Sequence, residues 1–208
     1  MKSKFFIYSG LGLILIAILR KGLKMSTFRK NLSEKALSEW NAWNVPNKVN
    51  EGNSRTMQRL RDYWNKGAKV KATDEYMVNN PWSASFISYC MRLAGAGANF
   101  FYSARHSDYI VNSIKNKKQN LPKAFKGYKP NEVKLEVGDL ICYARQKGVN
   151  YDTVGNYASH CDIVTNLTET EAETIGGNVS NSVTKTKVKL KDGKIINEKY
   201  FVVIKNNL

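Results

Sequence analysis

Amide cleavage by a side-chain nucleophile needs three groups in one place. The nucleophile gains from a helix N-terminus, where free N–H groups and the helix dipole favour developing negative charge. A histidine must reach it as general base, and a further polar group should orient that histidine. The chain offers this set once. Ser83 opens an apolar stretch, Ser83 to Gly95, directly after Pro81-Trp82. His160 starts a run with the grammar of a strand, and Asp162 or Asn178 stands on the same strand or the next as the orienting group. On its own, Ser83 would read simply as a helix N-cap.

The other histidine of the chain, His106, falls in the first turn of a helix between Ser103 and Asp108. It reads either as a satisfied structural donor or as a second histidine of the site. Trp82 is a wall of the cleft or part of the core, and Tyr102 and Tyr109 could line a groove. The three cysteines, Cys90, Cys142 and Cys161, fit no metal-binding spacing. Their odd number speaks against a disulfide framework, so buried free thiols are expected, with one Cys142–Cys161 bridge between neighbouring strands as the open alternative. Neither thiol suits the role of Ser83. Cys90 lies two turns deeper along the helix, and strand alternation turns Cys161 away from His160.

The elements that must position these groups follow from periodicity. Residues 5–19 are uncharged and almost wholly apolar, flanked by Lys2 and Lys4 before and by Arg20, Lys21 and Lys24 after. No small-x-small cleavage site follows, so the segment reads as an uncleaved signal anchor over residues 1–24 that contacts a membrane through residues 5–19. The stronger basic cluster after it would, by the positive-inside rule, hold the following chain on the cytoplasmic side. Residues 25–50 read as a basic linker with one short helix, Ser33 to Trp43, capped by Ser33. A helix over Ser54 to Lys66 is predicted from the spacing of Met57, Leu60 and Trp64, with Gly67 closing it. The apolar helix from Ser83 ends at Gly95, and a further helix covers about Ser103 to Lys115.

After Pro130 the pattern becomes extended. Strands are predicted over residues 139–145, 160–166, 173–176, 183–191 and 199–205, with Asp192-Gly193 as a tight hairpin turn. Helices first and antiparallel strands afterwards make residues 51–208 one α+β domain, N-terminal helices packed on a small antiparallel sheet.

Charge narrows the partners. The chain holds 33 Lys and Arg against 17 Asp and Glu. Residues 1–24 carry five of the cations and no acid, so the remainder is still +11. Such an excess favours an anionic partner. Nucleic acid ranks last, because no recognition motif and no clustered arginine and aromatic pattern is present.

Four short motifs carry a resemblance. Pro81-Trp82-Ser83-Ala84-Ser85-Phe86-Ile87 resembles the P-W-C-A-A-F-V motif of papain-like cell-wall amidases and peptidases of the CHAP type, with Ser83 at the nucleophilic cysteine. Val137-Gly138-Asp139-Leu140-Ile141 resembles their P-G-D-L-V strand. Ser159-His160-Cys161-Asp162-Ile163-Val164 resembles the G-H-V-G-I-V strand with the catalytic histidine, and Gly176-Gly177-Asn178 resembles the G-G-N segment that supplies the polar third residue. Together with Tyr102-Ser103-Ala104-Arg105-His106-Ser107-Asp108-Tyr109-Ile110, the pattern is similar to a bacterial and phage family, domain of unknown function 2272, over about residues 75–205.

The resemblance implies a papain-like fold and a peptidoglycan amidase or peptidase that needs no cofactor and no metal. Ser83, His160, Asp162 and Asn178 would be its catalytic residues, with Trp82, Tyr102, His106 and Asp139 on the substrate. Its partner would be peptidoglycan or another anionic envelope polymer, and its place a membrane-anchored position facing the envelope. A hydroxyl is a weaker nucleophile than a thiolate. The competing expectation is therefore an inactive domain that binds the wall or serves as a structural part of a phage or injection apparatus.

Overall fold

The computed structural model describes residues 25–208, so the expected anchor lies outside the described residues. Among the described residues, no helix is long and apolar enough to cross a membrane.

The first helix, α1 (Thr27–Asn44), begins earlier than the sequence predicts. Ser26 is its N-cap and accepts from the Arg29 N–H at 3.3 Å. Ser33 lies inside the helix instead, buried, with its hydroxyl donating to the Thr165 carbonyl at 3.1 Å. Phe28, Leu32, Ala36 and Trp43 form the buried stripe of α1, at the i, i+4 and i+7 spacing of one helix face. The stretch read as a linker therefore contributes to the main core. Arg29 hid the earlier turn, because a buried arginine is unexpected. Its guanidinium is held by the Asp139 carboxylate at 2.8 Å and by the Val137 carbonyl at 2.9 Å.

The predicted helix over Ser54 to Lys66 is α2 (Ser54–Asp62) continued by a wider π-helical turn (Tyr63–Ala68). Gly67 does more than end it: a Cβ there would stand 2.5 Å from the Ser85 carbonyl oxygen. Only glycine lets this turn close on the helix that carries Ser83. A short helix α3 (Asp74–Asn79), capped by Thr73, was not anticipated. Next come α4 (Ser83–Ala94), ended by Gly95 at φ 93° as expected, and α5 (His106–Lys118).

The strands are β1 (Phe125–Tyr128), β2 (Leu140–Ala144), β3 (Ser159–Leu167), β4 (Glu171–Gly176), β5 (Thr184–Lys191), β6 (Lys194–Ile195) and β7 (Tyr200–Asn206). They pair antiparallel in the order β1-β7-β2-β3-β4-β5-β6. The middle of the sheet is a meander, and β7 returns to insert between β1 and β2. Five strands match expectation, while β1 and β6 are too short to show a period. Asp192 and Gly193 both take positive φ, 54° and 76°, the requirement of a type I′ hairpin.

The fold is thus α+β. The larger core lies where α1, α4 and α5 meet the sheet, and a smaller apolar cluster is built mainly from strand residues such as Ile141, Val164, Val188 and Val203. Cys142 and Cys161 are directly opposed in the β2–β3 register, with Cα atoms 4.1 Å apart, and are joined in a disulfide. The free-thiol expectation is corrected for these two, and Cys90 remains a buried free thiol. Register, which no local pattern reveals, decides the pairing.

Candidate functional site

Ser83 is the first residue of α4, and the cap position belongs to Trp82, which makes no side-chain capping bond. The first closed α-helical bond of α4 runs from Phe86 N–H to the Trp82 carbonyl at 2.9 Å. The N–H groups of the preceding residues therefore have no partner within the helix. The Ser83 hydroxyl does not cap the helix. It lies 2.6 Å from Nε2 of His106.

A clamp between α4 and the start of α5 makes that contact. Ser88 donates to the Ser103 carbonyl at 2.8 Å, and the Ser103 N–H donates back to the Ser88 hydroxyl at 3.1 Å. Ser103 also donates to Asp108 at 2.6 Å, drawing the first turn of α5 together. One turn on, Tyr109 bonds through its hydroxyl to His106 Nδ1. Both ring nitrogens of His106 are thus engaged, and the ring is buried. Burial, then the neighbouring His160 and the Arg145 charge, hold its pKa well below the usual imidazole value. His106 is therefore neutral at neutral pH.

His160 occupies a neighbouring place. Its Nε2 lies 2.8 Å from Asp162 Oδ1, and Arg145 Nη2 lies 3.0 Å from its Nδ1. A guanidinium only donates, so Nδ1 accepts and Nε2 carries the proton given to Asp162. The rings of His106 and His160 are 5.1 Å apart. Strand alternation puts His160 and Asp162 on one face of β3 and Cys161 on the other. At the end of β4, Gly176 makes room for the pair: a Cβ there would fall 1.9 Å from Asp162 Oδ1 and 2.9 Å from His160 Nε2.

The expected Ser83–His160 contact is therefore corrected, since the histidine hydrogen-bonded to Ser83 is His106. Sequence reasoning carried His106 only as a possible second histidine. The signal that could have promoted it is the joint spacing of Ser88, Ser103 and His106, which only a packed pair of helices makes meaningful. Asp162, not Asn178, orients His160. Asn178 sits at φ 55° and makes no side-chain hydrogen bond among the described residues.

Two expected substrate-facing residues, Trp82 and Asp139, are buried structural groups, and Tyr102 is half-buried and held by its neighbours. Trp82 is fully buried, stacked on Trp43 at 5.0 Å and Tyr63 at 5.5 Å, and its Nε1 donates to Glu51 at 2.6 Å. Asp139 is fully buried between Arg29 at 2.8 Å and Lys205 at 2.7 Å. Tyr102 donates to the Gly97 carbonyl at 2.8 Å, and the Arg92 guanidinium lies 3.6 Å over its ring.

A cavity of about 180 Å³ opens at Ser83 and His106, lined also by Arg105, Arg145 and Tyr157. Among the described residues no cluster of three or more His, Cys, Asp or Glu side chains could hold a metal ion.

The proton arrangement decides what the site can do. Among the described residues the buried Tyr109 hydroxyl has one hydrogen-bond partner, His106 Nδ1. A buried donor without an acceptor costs roughly 1–3 kcal/mol, so at rest Tyr109 donates to Nδ1 and His106 holds its proton on Nε2, toward Ser83. General-base action needs the other tautomer, with Nε2 accepting from Ser83 and Nδ1–H donating to Tyr109.

No curated protein and no solved structure matches the chain. A family model described as "Uncharacterized protein conserved in bacteria (DUF2272)" matches residues 50–206. That span holds α2 to α5 and every strand, and with them Ser83, His106, His160 and Asp162, so the chain belongs to the DUF2272 family.

Proposed function

We propose that this protein hydrolyses an amide bond of peptidoglycan, with Ser83 as nucleophile, in a papain-like arrangement whose base comes from α5. The observation that carries the reading is the 2.6 Å contact of Ser83 Oγ with His106 Nε2 at the head of α4. Ser83 passes its proton to Nε2 as Oγ attacks the carbonyl carbon. The unpartnered N–H groups of the first turn of α4 receive the oxyanion. Protonated His106 then delivers the proton to the leaving amine, and water releases the acyl group by the same route in reverse. Asp162 orients the neighbouring His160 at 2.8 Å. Burial, then the Asp162 charge, raise the Tyr109 phenol pKa, which keeps that hydroxyl protonated beside His106.

The +11 charge of residues 25–208 supports an anionic wall polymer as partner. The Cys142–Cys161 disulfide supports an oxidising, envelope-facing location, with residues 5–19 as the membrane contact.

One observation favours a second reading, an inactive domain that holds wall fragments: Tyr109 biases His106 toward donating to Ser83 rather than accepting from it. Incubation of the full chain with purified peptidoglycan separates the two. New amino groups released by wild type and not by Ser83→Ala support the hydrolase. Co-sedimentation with the wall without released amines leaves the binding reading.

A further inference from the structure

The cavity at Ser83 has a chemical bias that the reaction itself does not require. Arg105 and Arg145 both line it, and no acidic side chain does. Arg105 is partly satisfied by Asp108 at 3.2 Å. Arg145 forms no ion pair among the described residues, and its one side-chain hydrogen bond there goes to a neutral imidazole nitrogen. Tyr157 lines the same cavity and is 8% exposed. Its hydroxyl has no hydrogen-bond partner among the described residues. Burial pushes that phenol up to about 12, so it stays protonated and able to donate.

An orphaned buried hydroxyl is uncommon in a native fold and asks for a partner. Here it shares a small cavity with a guanidinium that has donors to spare, beside the open N-terminus of a 12-residue helix. All three features favour the same ligand, an anion with acceptor oxygens. At about 180 Å³ the cavity is smaller than the roughly 300–1,000 Å³ that encloses a whole small ligand. It suits the end of a substrate.

We infer that this cavity recognises a carboxylate of the substrate close to the bond presented to Ser83, held by Arg145 with Arg105 and the Tyr157 hydroxyl. The inference rests on the hydrolase reading only in placing that carboxylate next to a scissile bond; carboxylate binding itself is measured without turnover.

The test uses the full-length Ser83→Ala chain and two probes, N-acetyl-alanyl-alanine with a free carboxylate and the same dipeptide as its C-terminal amide. Binding is followed by chemical-shift titration. The free acid should bind about tenfold or more tightly than the amide, the equivalent of one lost charge-assisted contact. Arg145→Gln should erase that preference, and since Arg145 is exposed the fold should tolerate it. Tyr157→Phe should weaken the acid severalfold while leaving the empty protein as stable or more so, because it removes a buried hydroxyl with no partner.

Equal binding of acid and amide, binding of neither, or a preference that survives both substitutions overturns the inference. So does displacement of the acid by inorganic phosphate as readily as by acetate. A preserved acid preference in a protein that releases no amines from peptidoglycan supports the inference and removes only the hydrolase reading.

Discussion

Gly176→Ala should dismantle the His160–Asp162 pair while leaving the strand intact. The native backbone at Gly176 is ordinary strand and not in the left-handed region, so alanine adds no backbone strain. It adds a methyl group 1.9 Å from Asp162 Oδ1 and 2.9 Å from His160 Nε2. Carbon and oxygen sit comfortably at roughly 3.3–3.6 Å, so the carboxylate must retreat by more than about 1 Å. The 2.8 Å bond to His160 does not survive that shift. His160 is fully buried, so its Nε2–H is left without an acceptor, at about 1–3 kcal/mol. Overpacking adds about 1–3 kcal/mol, giving a loss of roughly 2–6 kcal/mol. Urea melts measure the loss, and the imidazole nitrogen and proton resonances report the hydrogen bond. Gly177→Ala is the control: its Cβ would meet Phe86 at 2.6 Å, so it should destabilise without moving the His160 resonances. An unchanged melt with unchanged His160 resonances in Gly176→Ala would refute this account of the pair.

Ser83→Cys should raise amide hydrolysis and carry a thiol pKa below the ordinary ~8.5, whereas Ser83→Ala should be inactive with no capping loss, because Trp82 holds the cap position. An unperturbed thiol pKa by alkylation kinetics would instead mark the site as unable to activate a nucleophile. Hydrolysis should stay level down to about pH 6.5 and fall only below it, since the pKa of His106 is depressed and the neutral ring is the active form. The same shift links to stability: His106 contributes fully above its unfolded pKa, and that contribution is lost as pH falls through the folded one, seen as lower urea midpoints at pH 5 than at pH 7 in the wild type but not in His106→Gln. Nitrogen-15 histidine spectra should show His106 mainly as the Nε2–H tautomer, and Tyr109→Phe should raise the Nδ1–H population; a wild-type ring already protonated at Nδ1 contradicts the role given to Tyr109.

Much of the scaffold was legible because its signals are local. Alternation along Val188 and Leu190, the Asp192-Gly193 turn, the Gly95 stop and the apolar run after Ser83 each concern residues within a few positions of one another. Backbone preference and a single buried face are enough to produce them. The beginning of α1 escaped the same treatment, since Arg29 is buried only because Asp139 and the Val137 carbonyl, more than a hundred residues away, satisfy it.

By itself the sequence determined that helices precede an antiparallel sheet, that Ser83 heads an apolar helix, and that His160 and Asp162 share a strand face. It pointed to His160 as the partner of Ser83, where the structure has His106, and left undecided whether Asp162 or Asn178 holds His160 and whether two of the thiols pair. Those outcomes depended on the Ser88–Ser103 clamp, on the close approach permitted at Gly176, and on the β2–β3 register. Periodicity records which side of an element is buried. Which partner waits there is set by how elements pack across long separations, and a shift of about one ångström or one residue of register changes the answer.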